Sequence, residues 1–416
     1  MGCDVAGVTR PDSWESPTLH SETPFLFVWL DHWARTTPDV VAVNDRHQSL
    51  TFAELAAHSA RYAAAFRQHA ESHTAPVVAL LVDGVEAIAA FIGALRAGAV
   101  VLPLDVRDGL PRTVALLDRA DPSVVVTDQH QLELGDRWPS LHPDGLVDQS
   151  TDLCIDDSQW PSIDPLGPAM MLFTSGSTGQ PKGFVFSHTE MANFAAVNAT
   201  ELRIGPGDRL SMMFGLAFSA SRPNLLSGLL CGASLCCNRP DQAEDLTAVA
   251  GWVRSQAITH FHTTPNILRV LVRAGGHFED LPALRTVVLG GAAVSAADLT
   301  EARRALPDHT QLIQRYAATE VGVIARTVYD AGVAIDDVVL TQPLPGRHVQ
   351  ILDAVGAEAA AGESGDVVVS LAGPVSWPFA GAESLHPQPA DSPPVATGDL
   401  GAWTCLLYTS DAADDS

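Results

Sequence analysis

From Phe25 onward the chain alternates short apolar runs with segments whose apolar residues recur at helical spacing. Such alternation marks β-α units wound around mainly parallel sheets, because a parallel neighbour is reached only through a crossover, usually a helix. Candidate strands fall at 40–43, 77–82, 123–127, 169–174, 210–214, 259–262, 284–289 and 311–316. Candidate helices fall between them at 52–68, 85–97, 190–199, 243–255, 265–273 and 296–305. This count, in a chain of 416 residues, exceeds one ordinary core and fits two doubly wound lobes better than one. After 331 the pattern changes to short β-like runs at 338–340, 348–353 and 365–370, broken by Gly and Pro. The expected fold class is therefore α/β: two doubly wound lobes with mainly parallel sheets over residues 25–330, and a smaller β-rich lobe, a distorted barrel, over 331–404. Residues 1–24 are expected to be a flexible N-terminus, 128–165 a polar surface connection and 371–394 a loop.

Charge limits the partners. With 24 basic against 49 acidic residues the net charge is −25, a field that repels nucleic acid and anionic membrane surfaces alike. No apolar run is long enough to span a bilayer, and the acidic N-terminus lacks the features of a secretory signal. Six scattered cysteines without C-x-x-C spacing indicate neither a zinc site nor a disulfide framework, which suits a reducing cytoplasm. A nucleotide site in such a chain has to be built locally, from backbone N–H groups, a lysine and a divalent cation.

One run has those parts. L-F-T-S-G-S-T-G-Q-P-K-G, residues 172–183, overlaps the end of the 169–174 strand and opens into a loop of small residues. It carries the hydroxyls of Thr174, Ser175, Ser177 and Thr178, the glycines Gly176, Gly179 and Gly183, and the cation Lys182. Glycines let the backbone approach a ligand closely, so that successive N–H groups point at phosphate oxygens. A ligand-free surface loop accounts for any four of these residues, not for all of them in order. The spacing is not that of a Walker A loop, because Lys182 is followed by Gly183 and the G-x-x-x-x-G-K-[ST] pattern is absent.

The run resembles the phosphate-binding signature of the adenylate-forming superfamily: acyl-CoA synthetases, luciferases and the adenylation domains of nonribosomal peptide synthetases. The likeness continues in order through L-T-F-A-E-L at 50–55, L-R-A-G-A-V-V-L-P-L-D at 95–105, L-R-T-V-V-L-G-G-A-A-V at 284–294, R-Y-A-A-T-E at 315–320 and T-G-D-L at 397–400. It implies an ATP-dependent ligase that joins a carboxylic acid to AMP. By the same resemblance Tyr316 packs on adenine, Gly291 lines the adenine pocket, Asp399 binds the ribose hydroxyls, Thr319 meets the α-phosphate and Glu320 holds Mg2+. Catalysis is then expected of Lys182, Thr319 and Glu320, with no general base, because the acid is already ionised near neutral pH.

At the substrate end, the family element F-D-x-S, whose aspartate pairs with an α-ammonium group, reads F-S-A-S at 218–221. Ser219 carries no charge to match an ammonium group, so the acid is expected not to be an ordinary α-amino acid. By register Phe218, Ser219, Ala220, Pro223, Gly290, Arg315, Val323 and Ile324 are candidates for the pocket, Arg315 pairing with a second anionic group or pointing to solvent. The resemblance further implies a thiol acceptor, either the phosphopantetheine of a carrier protein or CoA as in a free-standing acyl-CoA synthetase. A catalytically dead nucleotide-binding module is the reading from another class. His188 and His262 read as structural histidines, and Cys236 and Cys237 as buried apolar residues closing a strand.

Past T-G-D-L the family continues into a hinge and a lid carrying a catalytic lysine, which this sequence lacks. Residues 405–416 instead resemble an in-frame translation of a sequencing-library adapter. They are expected to be a non-native tail, and the chain as it stands a poor catalyst.

Overall fold

The computed structural model describes residues 25–70, 76–128, 137–147, 161–174, 181–239, 248–273, 278, 281–333, 335, 338, 340, 342–371, 376–381, 384–385, 394–403 and 407–410. Three sheets organise them. A seven-stranded sheet runs in the order Trp377–Phe379, Lys182–Ser187, Pro168–Thr174, Val100–Pro103, Val77–Leu81, Val124–Thr127, Ser140–Leu141. A nine-stranded sheet runs Gln342–Pro343, Gly322–Tyr329, Gln311–Ala318, Thr286–Leu289, His260–Thr263, Arg209–Met212, Ser234–Cys237, Val41–Asn44, Ser49–Thr51. In both, the central strands pair in parallel and the antiparallel pairs sit toward the edges. The third sheet is small and antiparallel, in the order Arg347–Leu352, Ser364–Leu371, Val395–Trp403, Leu407–Ser410. The expected α/β class with a smaller β-rich part is the architecture found.

The sequence explains the parallel cores. Val77–Leu81 reads V-V-A-L-L with every residue buried, as a strand covered by helices on both faces requires. The helix Gly84–Arg96 is capped by Asp83, whose carboxylate accepts from the Gly84 N–H, and buries all of its residues from Ala87 to Arg96. It lies against the helix Phe52–Ala70 so closely that a Cβ on Gly93 would stand 2.5 Å from the Tyr62 Cβ. Only glycine permits that approach. Arg96 ends the helix fully buried, its guanidinium donating to both carboxylate oxygens of Asp31 and, at 3.0 Å, to the Ser59 hydroxyl, 5.6 Å from the centre of the Phe27 ring. A charge this deep persists only because every face of it is met.

Several details differ from the sequence expectations. The Pro- and Ala-rich stretch 371–394, expected as a loop, contributes the strand Trp377–Phe379, which pairs with Gly183–Val185 at the edge of the seven-stranded sheet. Its indole N–H donates to the Ser384 carbonyl at 2.6 Å, holding the strand against its own return. Gln342–Pro343 likewise joins the nine-stranded sheet, so two pieces of 331–404 pair outside the small sheet. Leu407–Ser410 forms the fourth strand of the small sheet. Of the expected helix at 243–255, Val249–Ser255 is described and 240–247 lies outside the described residues. Most of 128–165 also lies outside them, and what is described there includes a short strand, Ser140–Leu141, and a helical turn, Asp144–Val147. Among the described residues no helix is long and apolar enough to cross a membrane.

Candidate active site

Parallel strands deliver their C-terminal ends to one edge of a sheet, and in open α/β folds ligands bind there. In this chain that edge is where Gln311–Ala318 ends, beside the small sheet. Tyr316, half-buried on that strand, reaches across: its hydroxyl donates to the Asp399 carboxylate at 2.6 Å and lies 3.0 Å from the Thr397 hydroxyl. Thr397 in turn donates to the Val367 carbonyl at 3.2 Å and accepts from the Asp399 N–H at 3.2 Å. Burial, and then the hydrogen bond to Asp399, raise the Tyr316 pKa, so the phenol remains a proton donor.

One residue later the ladder slips. The register between Gln311–Ala318 and Gly322–Tyr329 shifts between Tyr316 and Ala317, a bulge that re-aims the side chains beyond it. Thr319 and Glu320 follow at the turn. Their main chain is held from two sides: the Arg222 guanidinium donates to the Thr319 carbonyl at 3.1 Å, and the Ser376 hydroxyl donates to the Glu320 carbonyl. The Thr319 hydroxyl donates to the Ser219 hydroxyl at 3.3 Å. The Glu320 carboxylate makes no hydrogen bond or ion pair among the described residues, which leaves it available to a cation.

Thr174, Phe173, Phe218, Ser219, Gly291 and Thr319 line one cleft of about 400 Å3. Lys182 stands across the ladder from Thr174, exposed, at the start of Lys182–Ser187. The loop joining them, with Ser175, Gly176, Ser177, Thr178 and Gly179, lies outside the described residues. Lys182–Ser187 is also tied toward Glu320, because its neighbour Trp377–Phe379 begins one residue after Ser376. The structure thus gathers Thr174, Gly291, Ser219 and Thr319 around one cleft, with Lys182 opposite Thr174 in the ladder and Tyr316, bonded to Asp399, three residues before Thr319.

The pocket candidates divide. Gly290 lies between Arg315 and His262: a Cβ there would stand 3.6 Å from the Arg315 Cβ and 3.7 Å from the His262 ring. Arg315 is buried, not directed to solvent. Ala220 follows Ser219 and faces Gly291, while Pro223 begins the buried helix Arg222–Cys231 and accepts at its carbonyl from Asn198 at 3.0 Å. Val323 packs into the large core that contains Ile313, whereas Ile324 packs with Val349 and Val367 under the small sheet, away from the Gly290–Arg315 row. Arg222 and Ser376, which grip Thr319 and Glu320, went unnoticed in the sequence. Arg222 had a faint signal, an arginine directly after F-S-A-S and opening an otherwise apolar helix.

Behind Thr319 the charges are paired: Arg222, buried with its guanidinium 4.2 Å from the Phe186 ring centre and 5.4 Å from that of Phe194, and Arg347 flank Glu190, while Arg315 and Arg326 flank Glu201. The cleft itself is also lined by Asp105, Asp108 and Arg112.

Both structural histidines are buried and neutral. Burial, opposed by Asp164, pushes His188 down to about 4; burial and then Arg315 push His262 down to about 3. Each folded pKa lies below the unfolded value of about 6.5, so their contribution to stability is complete above pH 6.5 and declines as pH falls. The slope is about 1.4 kcal/mol per pH unit for each histidine. The denaturant midpoint is therefore expected to drop between pH 7 and pH 5, and by about one proton's slope less in His262→Asn. An unchanged slope in that variant contradicts the assignment.

A model of AMP-binding enzymes matches residues 30–375. The chain belongs to that family, the adenylate-forming ligases. It is 31% identical over 255 residues to the L-proline--[L-prolyl-carrier protein] ligase of Streptomyces coelicolor, covering 56% of this chain and 48% of that protein. It is 29% identical to syringomycin synthase SyrB1 of Pseudomonas syringae pv. syringae, over 87% of this chain and 59% of that protein. Both are therefore spanned over less than two thirds of their length. Among solved structures it resembles the AMPPNP-bound nonribosomal peptide synthetase FmoA3, with a TM-score of 0.83 at 24% identity over 94% of this chain and 43% of that one. The N-terminal subdomain of Klebsiella oxytoca NpsA with 3-hydroxybenzoyl-AMSN matches at a TM-score of 0.78 and 20% identity, over 92% of this chain and 99% of that one.

Proposed function

We propose that this chain binds ATP and a carboxylic acid in the cleft bordered by Thr174, Gly291 and Thr319, as the activating part of an enzyme that converts the acid to acyl-AMP and pyrophosphate. The observation that carries this reading is one cleft lined by Thr174, Gly291, Ser219 and Thr319, with Lys182 opposite Thr174 in the ladder and Tyr316, bonded to Asp399, three residues before Thr319 on the same chain. Tyr316 offers its ring to adenine, Gly291 its backbone, and Asp399 two acceptor oxygens to the ribose hydroxyls. Residues 174–179 and Lys182 cradle the phosphates, and Thr319 donates toward the α-phosphate.

Glu320 would give a Mg2+ ion one carboxylate ligand, since that carboxylate makes no hydrogen bond or ion pair among the described residues, and the substrate phosphates would supply the others. When bound, the ion neutralises charge on the triphosphate. The substrate carboxylate forms a bond to the α-phosphorus as the α–β anhydride bond breaks and pyrophosphate departs. The protein's part is to align two anions and offset their repulsion, through Lys182 and the buried guanidiniums behind Thr319. Ser219, engaged with Thr319, presents no charge for an α-ammonium group, which favours an acid without one. A relative named for a carrier protein and a structural neighbour named as a nonribosomal peptide synthetase favour a carrier thiol over CoA as the acceptor.

Equilibrium binding of ATP with and without Mg2+ tests the reading. Mg2+ is expected to tighten ATP binding about tenfold in the parent protein and to have little effect in Glu320→Gln. ATP binding that ignores both the ion and the substitution would point instead to an inert nucleotide-binding module.

A further inference from the structure

Three parallel neighbours form the floor behind the cleft: His260–Thr263, Thr286–Leu289 and Gln311–Ala318, with His262 opposite Val288 and Leu289 opposite Gln314. Side chains alternate along strands, so Val288 and Gly290 share one face, and Ile313 and Arg315 share the same one. It is the face that packs on the helix His188–Leu202, since Val288 and Ile313 belong to that core and the His260 ring contacts the Leu202 carbonyl at 3.0 Å. Gly290 lies directly against Arg315, where an added Cβ would stand 3.5 Å from the Arg315 carbonyl oxygen, and Gly291 next to it lines the cleft with Ser219 and Thr319.

Arg315 is 5% exposed, and its Nε, Nη1 and Nη2 have no hydrogen-bond partner among the described residues. The acid nearest in charge, Glu201, is held by Arg326 at 2.5 Å. A guanidinium cannot shed its proton at physiological pH, and burying it without an acceptor costs several kcal/mol. On the cleft wall, Ser219 leaves the acid's α-position without a charged partner. Arg315 is a buried cation, unpaired among the described residues, on the strand that leads to Thr319.

We propose that Arg315 receives a second carboxylate of the substrate in a bidentate pair, so that the acid is a dicarboxylate with one carboxylate at Thr319 and the other at Arg315. This rests on the acid-activation reading above and deepens it to a substrate class. Selection among dicarboxylates then falls to the distance between the two anchors.

The test is calorimetric titration of the protein, saturated with Mg2+ and a non-hydrolysable ATP analogue, with succinate, glutarate and adipate, each against the straight-chain monocarboxylate of equal length. At least one dicarboxylate is expected to bind about 10- to 100-fold more tightly than its monocarboxylate. Arg315→Met is expected to erase that preference and Arg315→Lys to retain part of it, with analogue affinity unchanged in both. Equal affinities in the unmutated protein, or a preference that survives Arg315→Met, overturn the proposal while leaving acid activation standing. Failure of the unmutated protein to bind the analogue overturns both.

Discussion

Asp399→Ala is expected to weaken ATP binding about 10- to 100-fold, because a carboxylate accepting from two ribose hydroxyls makes charge-assisted hydrogen bonds of about 1.5–3 kcal/mol each. Tyr316→Phe is the informative contrast. The Tyr316 hydroxyl occupies one Asp399 oxygen at 2.6 Å, so under the proposed function ribose would compete with the phenol for that atom. Phenylalanine keeps the ring for adenine and frees the carboxylate, and ATP affinity is expected to change less than about threefold. Calorimetry on the two variants separates these outcomes. Parent-like ATP binding in Asp399→Ala removes this residue from the nucleotide site, whatever Tyr316→Phe does.

The second large effect is on stability. Arg96→Met strips the partner from Asp31, which is 4% exposed, and leaves the Ser59 hydroxyl without its donor. Breaking a buried ion pair from one side costs about 3–5 kcal/mol, since the remaining charge is neither solvated nor met. Asp31→Leu combined with Arg96→Met should recover most of that loss, because two apolar side chains ask nothing of each other. Denaturant unfolding of the single and double variants reads the difference. A double variant as unstable as the single one would show that packing against Phe27, rather than charge, is what Arg96 contributes.

Arg96 also shows what a sequence reveals and what it hides. The L-R-A-G-A run was legible as a landmark, but nothing in it says that the arginine faces an aspartate sixty-five residues earlier. The parallel strands were legible because burial on both faces writes a continuous apolar run, as in Val77–Leu81 and Thr286–Leu289. The helix Arg222–Cys231 was missed for the same physical reason: it is buried on every side, so its sequence has no polar stripe to mark a helical period. Lys182–Ser187 was hidden inside a motif read as loop, and Trp377–Phe379 inside a proline-rich stretch, where Pro378 is tolerated on a short edge strand. Among the candidate site residues, Thr174, Tyr316, Thr319, Glu320 and Asp399 were legible as candidates because each lies within a contiguous motif. Arg222 and Ser376 act on main-chain carbonyls, a role that leaves no pattern in the residues they hold.

The Ser376 contact has a mechanical consequence. A strap that begins at the Glu320 carbonyl and runs on as the outer neighbour of Gly183–Val185 couples the turn carrying Glu320 to the strand that starts with Lys182. Neither end can drift without dragging the other, so under the proposed function the two sides of the nucleotide grip would be braced as one frame, with a spacing set before any ligand binds.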